Sequence, residues 1–254
     1  MTPTEILVAF AIGLFTGFFS GLMGIGGGAL GTPLIRLLLN APPLISLAST
    51  MPVMLPSATS GAIAYFREKK VDFKLAGLLL LSAIPMTLVG AEATRYVSGR
   101  LLMLLTAFFL LLVGTSFLLR QLILKEEIHS EPYPEPTFLK LLLVGSFGGF
   151  LAGLLAIGGG VVYVPAILRV FKRPMKVALS TSLIVVMAIS IPGTIRHAML
   201  GHINWWYALV IGIATIPSSY LGAKLALRLR NNTLERIFGI CTMVFGIYFL
   251  ISQW

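Results

Sequence analysis

The sequence predicts an all-α, polytopic integral membrane protein made of two homologous repeats. Three observations carry this. The chain is 57% hydrophobic and only 11% charged, with a mean hydropathy of +0.95. No water-soluble core of 254 residues needs so much apolar surface, so lipid is the expected solvent. The second observation is a duplication. GFFSGLMGIGGGALGTPLI at 17–35 returns as GFLAGLLAIGGGVVYVPAI at 149–167, a shift of 132 positions. Gly17, Gly21, Ile25, Gly26, Gly27, Gly28, Pro33 and Ile35 each meet the same residue type, and Gly61/Gly193, Pro85/Pro217, Gly90/Gly222 and Gly114/Gly246 keep the register without a gap. The third is a glycine cluster inside the first apolar stretch of each half. Paired interrupted segments are the sequence sign of a transporter built from repeats.

Ten apolar segments follow in order, at 4–22, 29–39, 44–65, 75–93, 100–119, 138–156, 161–171, 177–195, 205–223 and 233–252. Counting the short ones or not gives eight to ten membrane segments. Most approach the roughly 20 residues that span a bilayer. The second and seventh do not: about eleven helical residues rise only about 16 Å. Each follows a glycine cluster directly, so the first stretch of each half is expected to be a broken or re-entrant helix. Residues 120–137, with three prolines and four glutamates, read as a polar surface linker. The expected organisation is a first transmembrane repeat over 1–119, that linker, and a second repeat over 138–254. The start, MTPTEILVAFAIGLF, has no basic residue before its apolar run, so it reads as a retained membrane helix rather than a cleaved signal.

Charge selects a topology. The 19 Lys and Arg exceed the nine Asp and Glu, for a net +10. These charges sit between apolar runs and form no continuous basic face, which excludes a nucleic-acid partner and makes them topology signals that contact membrane lipids. If each half crossed an even number of times, the cations would divide 8 to 11. If each half crosses an odd number of times, 15 fall on one side and only Arg36, Arg95, Arg100 and Arg196 on the other. The second division satisfies the positive-inside rule. Equivalent loops also carry opposite bias: 66–74 is basic and 198–206 is not; 169–176 is basic and 37–44 is not. An inverted-topology repeat is expected, multi-pass in the cell (inner) membrane, with the linker inside and both termini outside.

Candidate site residues come from the same duplication. Triple glycines form helices poorly, and a broken helix in lipid is tolerated only inside protein or along a wet cavity. The amides of Gly26, Gly27 and Gly28 and of Gly158, Gly159 and Gly160 are thus expected to converge with two helix N-termini, whose partial positive charge suits an anion. Ser49 and Thr50, and at the matching place Thr181 and Ser182, would add hydroxyl donors. Arg196, His197 and Glu92 are candidates for gating or proton coupling, since His197 titrates in a useful range. Intramembrane carboxylates are almost absent, which argues against a cation carrier. Trp205, Trp206 and Tyr207 read as an interfacial belt.

No enzyme pattern is present. GGGALG at 26–31 fits G-x-G-x-x-G, but it lacks a preceding strand, and residues 40–55 hold no Asp or Glu for a dinucleotide ribose. Cys241 is the only cysteine, which excludes an internal disulfide. It and three scattered histidines make a poor metal set, and no cofactor is expected.

The repeated G-x-x-x-G-L-x-x-I-G-G-G followed by proline resembles the sulfite exporter TauE/SafE family of membrane permeases. Ala178, Ser180, Thr181, Ser182 and Leu183 match its later A-x-S-T-S-L pattern, whereas the first-half SLASTM departs from it. The resemblance covers Gly17 to about Leu250 and implies seven or eight transmembrane helices and export of sulfite or an organosulfonate. Alternating access between the repeats is the expected mechanism, with a small anionic substrate and room for a homodimer. An anion channel, a carrier of a metal ion or another small anion, and a membrane scaffold are the competing readings.

Overall fold

The computed structural model describes residues 2–123 and 135–251, which fold into eleven α-helices: α1 (Pro3–Met23), α2 (Gly28–Leu38), α3 (Pro43–Ala48), α4 (Thr50–Arg67), α5 (Phe73–Ala93), α6 (Gly99–Ile123), α7 (Phe138–Leu155), α8 (Gly160–Arg169), α9 (Met175–Met199), α10 (Trp205–Arg228) and α11 (Asn231–Ile251). Residues 124–134 of the predicted linker lie outside the described residues. Seven of the ten predicted segments are helices long and apolar enough to cross a membrane: α1, α5, α6, α7, α9, α10 and α11. The short α2 and α8 follow the glycine clusters, as expected.

One segment differs. Residues 44–65 were expected as a single helix, but the chain breaks at Ser49 into α3 and α4. Pro52 weakens that turn, though Pro56, Pro85, Pro192 and Pro217 sit inside helices that stay unbroken. Pro52 has no N–H to donate to the Ala48 carbonyl, and its ring crowds that turn. The matching position holds Ile184, and α9 runs unbroken through it.

Local signals start the helices. Thr2 and Glu5 form a reciprocal capping box at α1, and Pro3 occupies its first position. Asp72 caps α5 by accepting from the Leu75 amide, and Asn204 caps α10 by accepting from the Trp206 and Tyr207 amides.

The halves interlock by exchange. α1 packs along α10 of the other half, and its counterpart α7 packs along α5. Small residues permit this. Gly13, Gly17 and Gly21 lie against Ile211, Thr215 and Ser219; Gly145, Gly149 and Gly153 lie against Leu79, Ala83 and Thr87, the equivalent positions. A methyl on Gly21 would sit 1.9 Å from the Ser219 carbonyl oxygen, and one on Gly153 2.1 Å from that of Thr87. Both register series rise together, so each pair runs parallel. α4 and α9 cross in the middle, while α6 and α11 pair on one flank, where the Phe117 and Phe238 rings lie 4.7 Å apart.

The outer surface is apolar: Leu7, Leu81, Phe108, Leu221 and Ile251 are all exposed. In water so large an apolar surface would drive association; in lipid it has no cost. Charge separates to the two ends. At one end Arg173 Nε pairs with Asp72 Oδ2 at 2.9 Å, Lys176 Nζ donates to the Leu227 carbonyl at 2.7 Å, and Lys74 meets Glu135. The basic loops 66–74 and 169–176 therefore share one end. At the other, Glu92 lies between Arg95 and Arg196.

Candidate functional site

α1 ends at Gly24, in the left-handed region at φ 69°, whose amide still closes on the Ser20 carbonyl at 2.8 Å. Gly27 follows at φ 88° and α2 starts immediately after it. The second half repeats this with Ala156 at φ 46° and Gly159 at φ 65° before α8. An L side chain is strained at φ values such as those of Gly27 and Gly159, so glycine is needed to turn the chain there. Each break is entirely buried.

The two breaks touch. A methyl on Gly28 would fall 2.4 Å from the Ala156 carbonyl oxygen, and one on Gly160 2.4 Å from Ile25 Cα and 2.6 Å from the Gly24 carbonyl oxygen. Backbone thus meets backbone across the junction, reciprocally. Two hydroxyls reach across it from equivalent positions: Ser182 Oγ donates to the Gly24 carbonyl at 2.9 Å, and Thr50 Oγ1 shares its proton between the Leu47 carbonyl at 2.7 Å and the Ala156 carbonyl at 3.1 Å.

The helix starts at the junction carry no side-chain cap. Gly31 donates to the Gly27 carbonyl at 2.8 Å, and Val162 and Tyr163 to that of Gly159 at 2.8 and 2.7 Å. The amides ahead of them are the free donors that every helix start presents.

The predicted site residues divide into three groups. Gly26, Gly28, Gly158, Gly160, Thr50 and Ser182 come together at the junction, while Gly27 and Gly159 face residues of their own halves. Ser49 and Thr181 instead tie down the helix-capping loops: Ser49 Oγ accepts from the Asn204 amide at 2.9 Å and Thr181 Oγ1 from the Asp72 amide at 3.0 Å. Arg196 and Glu92 form an ion pair between α9 and α5 at the sparsely charged end, with Nε to Oε2 at 2.7 Å. His197 is fully buried one turn above the second break, with Nε2 3.0 Å from the Gly153 carbonyl oxygen. Its ring stands 5.8 Å from that of His202, whose pKa is lowered by burial and then by the Arg95 charge. The counterpart of His197 is Tyr65, whose hydroxyl donates to the Gly21 carbonyl at 3.1 Å.

Sequence reasoning missed several residues. Ser57 donates to Ser20 Oγ at 2.8 Å beside Gly27, and Ser219 Oγ donates to the Ser57 carbonyl at 2.7 Å. A serine inside an apolar stretch is the signal that marks them. Asp72, the only aspartate in the chain, was passed over because it lies in a basic loop. Next to it, Lys69, Lys70, Lys176 and Asn231 line a cavity of about 440 Å³ at the basic end. Among the described residues no group of His, Cys, Asp or Glu could hold a metal ion.

An outer surface suited to lipid, around two broken helices that meet at a buried centre, is the construction of a polytopic membrane transporter. The chain belongs to the sulfite exporter TauE/SafE family, whose family model matches residues 9–249. It is similar to a protein of Bacillus subtilis (strain 168) described as "Probable membrane transporter protein YunE", 26% identical over 95% of this chain and 96% of that protein. A "Probable membrane transporter protein" of Xylella fastidiosa (strain Temecula1) is 26% identical over 100% of this chain and 98% of its own. One from Haemophilus influenzae is 35% identical over 43% of this chain and 44% of its own.

Proposed function

We propose that this transporter exports a small sulfur oxyanion, sulfite or an organosulfonate, by alternating access between two inverted repeats. The observation that carries the proposal is the reciprocal meeting of the two glycine breaks, each with a helix N-terminus that lacks a side-chain cap. Amide donors and helix dipoles favour an anion there without a full counter-charge. Binding by dipoles also stays weak enough for release.

The basic end faces the cytoplasm under the positive-inside rule. Its lysine-lined cavity gathers the anion from the cytoplasm. Two ion pairs between the halves are suited to act as gates: Asp72–Arg173 on the cytoplasmic side and Glu92–Arg196 on the outer side. Opening one while the other stays closed carries the site from side to side. The inside-negative potential favours anion exit, so uniport suffices. A channel would conduct without saturating.

The test is thermal stability of the purified protein against sulfite, sulfate, thiosulfate, sulfoacetate, taurine, phosphate and chloride. A ligand that binds only the folded state raises the melting temperature with concentration. A rise selective for sulfite or a sulfonate supports the proposal, and saturable efflux of the same anion from proteoliposomes completes it. A response to phosphate or chloride alone would overturn the substrate class.

A further inference from the structure

The backbones of the two breaks are equivalent, but their linings are not. In the second half the Tyr163 ring fills the space beside the break. A methyl built on Gly148 would lie 2.5 Å from that ring, and one built on Gly159 2.6 Å from it. The Tyr163 hydroxyl donates to the Gly145 carbonyl at 3.3 Å. The residue at the Tyr163 position of the first half is Gly31, which has no side chain to place there. A methyl on Gly27 would fit in ordinary contact with Ser20 Cβ, the Thr16 carbonyl oxygen and Ser57 Oγ at 3.6–3.7 Å, without the clash that the Tyr163 ring imposes at Gly159.

The first-half space is instead edged by hydroxyls. Thr16, Ser20 and Ser57 stand where the second half has Gly148, Ala152 and Ile189. All three are buried, and Ser57 Oγ lies 3.7 Å from the methyl position on Gly27. Thr16 is spent on the Ile12 carbonyl at 2.8 Å. Ser20 and Ser57 share a single hydrogen bond between their hydroxyls. Two hydroxyls joined by one bond leave one proton over. One turn into α2, Thr32 is fully buried and its Oγ1 has no partner, whereas its counterpart is Val164. Buried hydroxyls left without a partner are costly unless a ligand completes them.

We infer that the substrate is held at the first break alone, with the bonded Ser20–Ser57 hydroxyl pair donating its one spare proton to a substrate oxygen beside Gly27, and that Tyr163 is a fixed plug in the twin site. One carrier cycle then moves one anion, and the second repeat acts as the scaffold against which the first moves. The inference rests on the oxyanion reading above, and the following experiment separates the two.

In a Cys241→Ala chain reconstituted in proteoliposomes, Ser57→Cys and Ile189→Cys are each exposed to 2-sulfonatoethyl methanethiosulfonate, a small anionic thiol reagent that itself carries a sulfonate. Ser57→Cys is expected to label at least about tenfold faster, because thiol reactivity follows access and charge environment. Sulfoacetate, which unlike sulfite does not consume the reagent, is expected to slow it. Adding Tyr163→Ala is expected to raise labelling at Ile189→Cys toward the Ser57→Cys rate. Equal rates at the two cysteines, including no labelling of either, would overturn the one-sided site. Unequal rates with no protection by sulfoacetate would retain the one-sided site and overturn the sulfonate reading.

Discussion

The hydroxyl of Thr50 and that of Ser182 each bond a carbonyl of the opposite half, at the turn that ends its first helix. Neither bond is visible in a sequence, where both residues read as free donors for a ligand. Thr50→Val keeps the shape and removes the donor, and Ser182→Ala does the same in the other half. Each is expected to cost about 1 kcal/mol, the usual net worth of one such bond, and the two melting-temperature losses should be similar. A loss in one variant only would show that the junction is not reciprocal. Glycines differ by surroundings rather than by type. Gly160→Ala would place its methyl 2.4 Å from Ile25 Cα and is expected to destabilise by about 1–3 kcal/mol, the range for overpacking. Gly77 has open space at its methyl position, so Gly77→Ala should stabilise by up to about 1 kcal/mol through helix propensity. Thermal unfolding in detergent checks both.

At the level of helices, the equivalence of α1 with α7 and of α5 with α10 was legible from matched glycines and prolines. What the sequence did not contain was the partner of each glycine face. Gly17 meets Thr215 and Gly149 meets Ala83, so each half completes its packing with the other half's helix. Gly17→Leu and Gly149→Leu should therefore both prevent assembly of the bundle, to a similar extent, with a large drop in monodisperse protein after extraction. Tolerance of either substitution would contradict the exchanged pairing. The break at Ser49 has no signal in hydropathy, because Pro52 sits inside an apolar run. The difference from Ile184 is where the outlines of α4 and α9 part.

For the whole molecule, the charge division predicts which loops share an end, and the Asp72–Arg173 pair puts 66–74 beside 169–176. Reporter fusions at residues 70 and 172 should land on the same side of the membrane, the cytoplasmic one. Opposite locations would defeat the topology. The ion pairs at the two ends extend the same logic to motion. If the pairs act as the proposed gates, Arg173→Gln should bias the carrier toward opening at the basic end, and Arg196→Gln toward opening at the other, because each removes one charge of the pair at that end. Cysteine accessibility from each side reads the bias, and identical shifts in both variants would exclude the pairs as gates.

By itself the sequence determined the solvent, the duplication, the two glycine breaks and the division of charge, because each depends only on composition, spacing and short-range backbone chemistry. The tertiary structure alone decided that the breaks meet back to back, that Thr50 and Ser182 bond carbonyls across the junction, and that Tyr163 fills one of two otherwise matching spaces. The first two depend on contacts between residues more than a hundred positions apart, which only the packing of the two halves brings within bonding distance; the third depends on how α8 folds back along α7, bringing Tyr163 against Gly145 and Gly148. Local propensity carries no record of either.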